Sequence, residues 1–419
     1  MVRFNRAGGV FFALTGLATF TGCSSDDGPG VGDDVDTTGC DVVLEASGGD
    51  DYAAVQDALI GATSGSDVCF RPGAYSFSRE VSLTVRDVTV RGLGATRDDT
   101  ILDFLAQEAG DDGITVTSDG FTIENLWIKN TPGNGVVVTG AEDVTFRNLK
   151  VTWDAGSVTE NGAYAVYPVR SRRVLIEDTE VVGAADAGLY VGQCQQAIVR
   201  NNDVHGNVAG IELENTVGGE VVNNRAYDNS AGILVFVLPN LEFKSGDATL
   251  VHDNEVYDNN RENFAEAGTI VAQVPPGTGV LLLAADGVEI TNNDFRNNVS
   301  TSILAVSYDT LSPLLGSSPD DPETDLYLER IYVHDNTYTS NGTDPQTVAA
   351  ALEISPLEDF VWDGVANADN PDGAQICFGS APPSFRDFGG FDNIANAENH
   401  STDASGHQCE LPPVPPVSF

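Results

Sequence analysis

Short apolar runs separated by polar turns recur through the middle of the chain, and two neighbouring stretches are close copies of each other. The first, Gln195–Thr216, reads QQAIVRNNDVHGNVAGIELENT, and the second, Val217–Pro239, reads VGGEVVNNRAYDNSAGILVFVLP. Each copy holds a short strand, an Asn pair, a second strand, a polar turn and a Gly that opens a third, alternating strand. Three strands in about 22 residues are typical of one coil of a parallel β-helix, whose stacked coils bury one continuous core.

A polar residue recurs at one turn of each coil, and its spacing gives the repeat. The interval is 22 or 23 residues where the coil is shortest, and it is longer where loops are inserted. Stacked amide side chains at a turn bond to the coils above and below, so we interpret these residues as a structural ladder without a catalytic role. The ladder positions are Asn125, Asn148, Asp178, Asn201, Asn223, Asp253, Asn292 and Asp335.

Both ends of such a solenoid need a cap, because an exposed strand edge pairs with other chains. The segment DYAAVQDALIGA, residues 51–62, has apolar residues at helical spacing and predicts a capping helix. The period fades after residue 345, so residues 346–419 are interpreted as a C-terminal cap that ends in the proline-rich tail LPPVPPVSF. The sequence therefore predicts an all-β fold, a right-handed parallel β-helix over residues 40–345, with the hand taken from the rule for parallel connections.

The third strand of each coil carries an outward face that differs from ordinary surface. Alternation points Ile211 and Leu213 inward, so Glu212 and Glu214 point outward. The same outward positions in other coils hold aromatic and aliphatic side chains, which indicates a groove. Long insertions border this face at residues 153–161, 238–248, 261–278 and 312–325. For binding sugar rings and hydroxyls the sequence offers Tyr164, Tyr190, Gln193, Asn215, Phe236 and Arg170.

Candidate chemistry centres on Glu212 and Glu214, whose Cα atoms are expected about 6.6 Å apart on one strand. Glycoside hydrolysis needs two carboxyl groups on opposite sides of a bond. The parallel direction of these two suits a cation or sugar hydroxyls better, and for calcium Asp186 would be a third oxygen ligand. Elimination or epimerisation of a uronic acid also needs a base and a neutralising charge, and Lys244 on an inserted loop is the best basic candidate. The catalytic prediction is therefore Lys244, Glu212 and Glu214, with a lyase or epimerase favoured over a hydrolase. A plain exposed loop residue is the alternative for Lys244.

The composition limits the partners. The chain has 63 acidic and 20 basic residues, a formal net charge of −43. Nucleic acid is excluded because its binding needs a cationic surface. An anionic polysaccharide is a poor partner unless cations such as calcium bridge the two. The alternative interpretation of the charge is a well-solvated acidic surface.

The N-terminus predicts export. Arg3 and Arg6 precede an apolar run over residues 10–20, so residues 1–22 are interpreted as a signal peptide and residues 23–39 as an acidic, Gly-rich tether. The segment Thr21-Gly22-Cys23 resembles a bacterial lipoprotein signal, which implies lipidation of Cys23 and, with Ser24 next to it, sorting to the outer membrane. Cleavage without lipidation is the alternative.

Export also permits disulfides. Pairing Cys40 with Cys69 and Cys377 with Cys409 would staple the two ends of the solenoid. Cys194 is expected to be a buried free thiol, since no base is apparent beside it.

Several stretches resemble one group of exported bacterial β-helix proteins that are usually lipoproteins. They are GAYAVYPV, DAGLYVGQ, RNNDVHGNVAGIELEN, AGILVFVLPNL and GHQCELPPVPP. More distantly, the repeat architecture is similar to the pectin-lyase-like β-helix of carbohydrate-binding proteins, polysaccharide lyases and alginate epimerases. The Asp-Pro-His-Asp signature of the β-helix epimerases is absent from the sequence. The resemblance implies the fold and export, and fold alone does not fix a reaction.

These observations lead to one functional hypothesis and one rival. The lead hypothesis is an exported, lipid-anchored protein of the outer membrane that binds a polysaccharide in a cleft on one β-helix face, with lyase or epimerase chemistry left open. The rival is a non-catalytic envelope module that has a structural role or docks a protein partner.

Overall fold

Each coil of the chain contributes one strand to each of three parallel sheets. In the computed structural model, residues 35–315, 321–346, 348–390 and 400–419 are described. Within these residues sheet A has 12 strands, sheet C has 11 and sheet B has 10.

Sheet A contains, in spatial order, β1 Val42–Leu44, β2 Asp67–Phe70, β5 Thr89–Gly92, β8 Thr122–Glu124, β11 Glu142–Arg147, β14 Arg172–Glu177, β17 Gln195–Arg200, β20 Val217–Val222, β23 Asp247–His252, β26 Asp286–Thr291, β29 Glu329–His334 and β32 Ile376–Cys377. Sheet B contains β3 Gly73–Ser76, β6 Thr100–Asp103, β9 Trp127–Lys129, β12 Lys150–Thr152, β15 Glu180–Val182, β18 Asp203–His205, β21 Arg225–Tyr227, β24 Glu255–Tyr257, β27 Asp294–Arg296 and β30 Thr337–Thr339. Sheet C contains β4 Arg79–Leu83, β7 Ala109–Val116, β10 Val136–Thr139, β13 Tyr164–Val169, β16 Ala187–Gly192, β19 Ala209–Glu214, β22 Ala231–Phe236, β25 Thr278–Leu283, β28 Thr301–Val306, β31 Phe360–Trp362 and β33 Phe385–Asp387. The predicted all-β, parallel β-helix architecture is confirmed.

The core is a stack of aliphatic side chains inside the coils. Alternation along each strand sends every second side chain inward, and parallel pairing then places equivalent residues directly above one another. One inward stack on sheet C is Val166, Leu189, Ile211, Ile233, Val280 and Ile303, each of them fully buried. Burial of such continuous stacks is the main favourable term for the fold.

The amide ladder lies one residue after the predicted positions. Asn202 donates to the side chain of Asn224 at 2.9 Å, and Asn224 donates to Asn254 at 3.0 Å. A second ladder of the same kind runs through Asn207, Asn229, Asn259 and Asn298. The ladder prediction was therefore shifted by one residue in these coils, whereas Asn148 donates to Asn125 at 2.9 Å at the predicted positions.

The predicted ladder residues have a different task at the same turn. Asn125, Asn148, Asp178, Asn201, Asn223, Asp253, Asn292 and Asp335 all have φ between 48° and 57°. Asn and Asp tolerate this left-handed backbone better than other residues that carry a Cβ. The left-handed residue forms the corner and faces outward, and the next residue faces inward and carries the amide ladder.

Helix α1, Tyr52–Gly61, caps the first coils as predicted. Val55 and Leu59 are buried in the core. The Gln56 side chain donates to the Ser82 carbonyl and accepts from the Ser82 amide, both at 2.9 Å, so it satisfies the backbone of the first sheet C strand.

Both ends carry the predicted disulfides, Cys40–Cys69 and Cys377–Cys409. Cys194 is free and buried, and burial raises the pKa of its thiol to about 12. The sheets continue past residue 345, because β31, β32 and β33 extend sheets A and C. Residues Asp36–Phe419 form one compact unit.

The remaining helices are short and lie in connections or in the C-terminal region. They are α2 Tyr308–Leu315, α3 Val348–Ala351 and the 3-10 turns Arg97–Asp99, Val271–Gln273 and Ala404–His407. None of the helices in the described ranges has the length and hydropathy needed to cross a bilayer. The predicted signal peptide and Cys23 lie outside the described residues, as does most of the predicted tether.

Candidate functional site

Two outward columns of side chains on sheet C change character along the solenoid axis. The first column is Ser82, Thr115, Val137, Tyr167, Tyr190, Glu212, Leu234, Leu281 and Leu304. The second is Thr139, Val169, Gly192, Glu214, Phe236, Leu283 and Val306. We call the coils from Ser82 to Thr139 the open half and the coils from Leu234 to Val306 the covered half. Between them lies a tyrosine–carboxyl cluster.

Long loops bury the covered half. Residues 237–246, residues 258–277 and α2 pack their apolar side chains on it, among them Val271, Val274 and Tyr308. Phe236 is only 2% exposed, so it cannot stack on a sugar as the sequence predicted. The physical reason is that an apolar strand face gains more free energy against apolar loops than against water. The predicted cleft is filled over these coils.

A cavity of about 440 Å³ remains between the covered half and its loops. Its floor includes Leu281, Leu304 and Val361, and its wall includes Ile270. Its titratable lining residue is Asp363, whose carboxylate accepts bonds from Ser307, Thr310 and the Val365 amide. The cavity therefore offers apolar packing and no free acid–base pair.

The tyrosine–carboxyl cluster consists of Tyr164, Tyr167, Tyr190, Asp186, Glu212 and Glu214. The rings of Tyr164 and Tyr190 lie 4.5 Å apart, and Tyr167 lies 4.7 Å and 4.9 Å from them. The Tyr190 hydroxyl donates to Glu214 Oε1 at 2.6 Å, and the Tyr164 hydroxyl donates to Asp186 Oδ2 at 3.3 Å. Three rings thus share one surface with three carboxyl groups.

Gly192 makes this arrangement possible. Gly192 separates Val169 from Glu214 in the second column, and the Tyr190 ring lies over it. A Cβ at position 192 would lie 2.2 Å from Tyr190 Cε1. The missing side chain lets the Tyr190 hydroxyl reach the carboxyl group of the next coil.

Burial controls the protonation of the cluster. Desolvation raises the pKa of Asp186 to about 7, and the nearby Glu214 charge adds to the shift. Desolvation also raises the pKa of Glu214, against the hydrogen bond from Tyr190, and raises that of Glu212 well above its ordinary value. Transferring a carboxylate from water to such a site is costly, so burial favours the protonated form of each group up to a higher pH than usual.

Glu212 and Glu214 are not open catalytic groups. Their exposed fractions are 4% and 8%, and Glu212 Oε2 has no hydrogen-bond partner among the described residues. The covering loops and the tyrosine rings exclude solvent, which the alternation pattern could not show. Asp186 is half-buried and is the most exposed of the three carboxyl groups.

The carboxyl groups do not form the predicted cation site. Over the described ranges, no three His, Cys, Asp or Glu side chains are arranged to hold a metal ion. One oxygen each of Asp186 and Glu214 accepts from a tyrosine hydroxyl, and Glu212 is buried. Calcium binding elsewhere, or between the protein and a glycan, stays a prediction.

Gln193 and Asn215 hold a loop rather than a ligand. The Gln193 side-chain oxygen accepts from the amides of Glu242 and Phe243, at 3.0 and 3.2 Å. Asn215 donates to the carbonyls of Leu238 and Phe243 and is 1% exposed. Both residues have positive φ at the corner after sheet C, where their amides face the inserted loop 237–246. Their predicted role in sugar binding is therefore replaced by a structural one.

Lys244 is also a structural residue. Its Nζ lies 2.8 Å from Asp321 Oδ2, and the same carboxylate accepts from the Asn240 amide and the Thr324 hydroxyl. These bonds hold the pKa of Asp321 well below its usual range. The ion pair joins two covering loops, so the role of Lys244 is to stabilise the contact between them.

A polar pocket of about 390 Å³ opens beside Tyr167, where the open half meets loop 237–246. It is lined by Thr139, Tyr167, Val169, Arg170, Gln193, Asn240, Leu241 and Glu242. The Arg170 and Glu242 side chains, 44% and 65% exposed, form an ion pair at 3.1 Å. Of the residues predicted to bind sugar, Arg170 and Gln193 line this pocket, and Tyr164 contacts its Tyr167 wall.

Sequence reasoning missed Tyr167. The strand in register with Tyr190 begins at Tyr164, and the residue beside Tyr190 is Tyr167, so the predicted alignment of Tyr164 with Tyr190 was shifted by three residues. The signal was present in AYAVYPV, where Val166 faces the core and Tyr167 faces outward. Glu242 was also missed, because only the folded loop brings it to Arg170.

The fold and the site define a right-handed parallel β-helix with a partly covered sheet face. Residues 134–315 match the family model described as a right handed beta helix region. No curated protein sequence matches the chain.

Several solved structures resemble this chain at low sequence identity. The A-module of a mannuronan C-5 epimerase from Azotobacter vinelandii is 19% identical, with 75% of this chain and 86% of that chain covered and a TM-score of 0.49. A GH136 lacto-N-biosidase from Eubacterium ramulus is 11% identical, with 77% and 63% covered and a TM-score of 0.49. An alginate lyase from Paenibacillus is 14% identical, with 73% and 96% covered and a TM-score of 0.38. Likeness at this level concerns the fold and carries no functional argument.

Proposed function

We propose that this protein is exported and lipid-anchored at the outer membrane, and that it binds a polysaccharide in the polar pocket beside Tyr167. The observation that carries the proposal is the pocket itself. It is a polar cavity of about 390 Å³ at the edge of an aromatic cluster, on the part of sheet C that the long loops leave open. Pockets with an aromatic wall and a few converging polar groups are the usual form of ligand sites.

The pocket's residues suit a sugar. The half-buried Tyr167 ring is held by contacts with two other tyrosines, so it offers a rigid, amphipathic face. Thr139 and Asn240 offer groups that bond hydroxyls. The exposed Arg170–Glu242 pair contributes little stability, so the carboxylate of a uronic acid exchanges with Glu242 at small cost.

Lyase or epimerase chemistry is the form of processing that agrees best with this site. Hydrolysis needs two accessible carboxyl groups, and two of the three here are buried. Elimination or epimerisation needs one proton acceptor and a group that neutralises the uronate. Arg170 would be the neutralising charge, whereas Asp186 lies beside Tyr164 at the start of the strand and outside the pocket lining, so it is not the acceptor for the same sugar. Calcium would assist by bridging an anionic glycan to this acidic protein.

The test is a glycan-binding screen with uronic-acid and neutral polysaccharides, run with calcium and with chelator. We expect Tyr167→Ala to weaken binding about tenfold or more, because one stacking face is worth at least about 1.4 kcal/mol. Tyr257→Ala is the matched control, since Tyr257 stacks on Tyr227 on sheet B, away from the pocket. Absorbance of unsaturated uronides and NMR of the product would report lyase and epimerase activity, and Arg170→Ala should abolish either.

Equal binding by the Tyr167→Ala and wild-type proteins would overturn the proposal. Capture of one envelope protein with no glycan bound would favour the docking module instead. Binding without any reaction would leave the site as a glycan receptor.

A further inference from the structure

The C-terminal tail lies along the outer face of sheet A, on a different side of the solenoid from the polar pocket. The Cys377–Cys409 disulfide fixes the start of the tail. From there Leu411, Val414 and Val417 are partly buried, and the proline pairs between them are exposed. A burial period of three residues is that of a polyproline II helix, which has three residues per turn.

Two backbone bonds attach the tail to the sheet. The Val414 amide donates to Glu289 Oε2 at 2.5 Å, and the Val417 amide donates to Glu220 Oε2 at 2.7 Å. In the repeat Pro-Pro-Val-Pro-Pro-Val, the valines are the residues that have an N–H group, since proline has none. Both available donors are therefore used.

The spacing of the two glutamates matches the spacing of the two valines. Glu220 pairs with Leu250 of the next coil, and Leu250 pairs with Glu289 of the coil after it. Two coil steps correspond to about 9.6 Å. Three residues of polyproline II helix rise about 9.3 Å. The tail therefore presents one N–H group to every second coil without stretching.

A histidine holds each glutamate through the carboxylate oxygen that does not contact the tail. Glu289 Oε1 lies 3.0 Å from His334 Nε2, and Glu220 Oε1 lies 3.1 Å from His252 Nε2. Each imidazole also bonds through Nδ1 to the following aspartate, Asp335 or Asp253, at 2.7 Å. Both glutamates are at least 90% buried. The same arrangement of three side chains thus occurs twice, two coils apart, with one carboxylate oxygen left for the tail.

We propose that this face of sheet A is a recognition site for a polyproline II peptide with the repeat Pro-Pro-aliphatic, and that the chain's own tail is the ligand. The glutamates select an N–H group at every third residue, and the shallow positions between them take the aliphatic side chains. Polyproline II segments suit such a site because they are already extended and lose little entropy on binding. The inference does not depend on the polysaccharide site.

The competing explanation is a plain terminal strap, held by its disulfide and by general contact with the sheet. A strap of that kind would not need the three-residue repeat. Recognition, in contrast, requires that the peptide bind without the covalent link and that binding fail when the repeat is changed.

The test uses the full chain with Val414→Pro and Val417→Pro, which keeps the polyproline conformation and removes both donors. We expect the tail to detach, seen as at least tenfold faster proteolysis after Cys409 while the circular dichroism of the coils is unchanged. A labelled peptide ELPPVPPVSF should then bind this variant, measured by fluorescence anisotropy. Peptides ELPPPPPPSF, without the donors, and ELPVPVPPSF, with the valines two residues apart, should bind at least tenfold more weakly.

Receptor-side variants complete the test. Glu220→Ala with Glu289→Ala should release the tail and also fail to bind the peptide. A tail that stays attached in the double-proline variant would overturn the proposal, because the N–H bonds would then not hold it. A released tail with no peptide binding, or equal binding of all three peptides, would overturn it as well.

Discussion

The open half and the covered half of sheet C are built from the same strand, repeated with the same hydrogen bonds. They differ in the side chains that face outward and in the loops that follow. Thr139 and Thr115 face solvent beside short turns, whereas Leu234 and Leu283 lie fully buried under residues 237–246, residues 258–277 and α2. The scaffold of this β-helix therefore stays constant, and the outward side chains together with the loop lengths decide which stretch of the face becomes a second core and which faces solvent.

The largest effect should come from breaking the covered half. Phe236→Ala removes a ring that is 2% exposed beside an existing cavity, so we expect a loss of about 3–5 kcal/mol in the free energy of unfolding. Thr139→Ala, at the matching outward column of the open half, should change it by about 0.5 kcal/mol or less. Chemical denaturation monitored by circular dichroism measures both. Similar losses for the two variants would mean that the halves are not energetically distinct.

The boundary between the halves should be sensitive to pH. A carboxyl group with a raised folded pKa binds its proton more tightly in the native state, so its contribution to stability is present at low pH and is lost as pH rises. Glu212→Gln removes the buried carboxylate that must form above its pKa. We expect the variant to be about 1–2 kcal/mol more stable than the wild type at pH 8, and nearly equal to it at about pH 3, below the ordinary pKa of a glutamate.

Denaturation midpoints between pH 3 and pH 8 check this. Thr115→Ser, in the open half, is the control and should follow the wild-type pH curve. A Glu212→Gln curve with the wild-type slope would show that Glu212 does not titrate in this range.

The smallest effect should come from loosening a covering loop. Asp321→Asn weakens the contact that ties Lys244 and the Asn240 amide to the next loop. We expect amide hydrogen exchange in residues 237–246 to become about tenfold faster with little change in global stability. Glu242→Gln, which breaks the exposed pair with Arg170, should leave the same amides nearly unchanged. If the amides of residues 237–246 exchange at the same rate in the two variants, the Asp321 contact does not restrain the loop.

Part of the site could be predicted from the sequence. The long loops, Tyr164, Tyr190 and the carboxyl groups of sheet C could be named from the sequence, whereas Tyr167 was missed. The prediction aligned Tyr164 with Tyr190, which is wrong by three residues, because it took a Gly as the start of the strand. Only the pairing of the folded strands shows the correct register. The roles of Gln193, Asn215 and Lys244 could not be predicted, because each depends on where an inserted loop folds back.

The sequence by itself determined the parallel β-helix, its coil length, its helical cap and its two terminal disulfides. These follow from local periodicity and from chemistry that repeats every coil. The tertiary structure alone decided which outward positions are covered and which carboxyl group is least buried. It also decided that the tail bonds to a glutamate on every second coil of sheet A. Those outcomes depend on contacts between residues far apart in the chain, such as Val417 with Glu220, for which alternation along one strand carries no information.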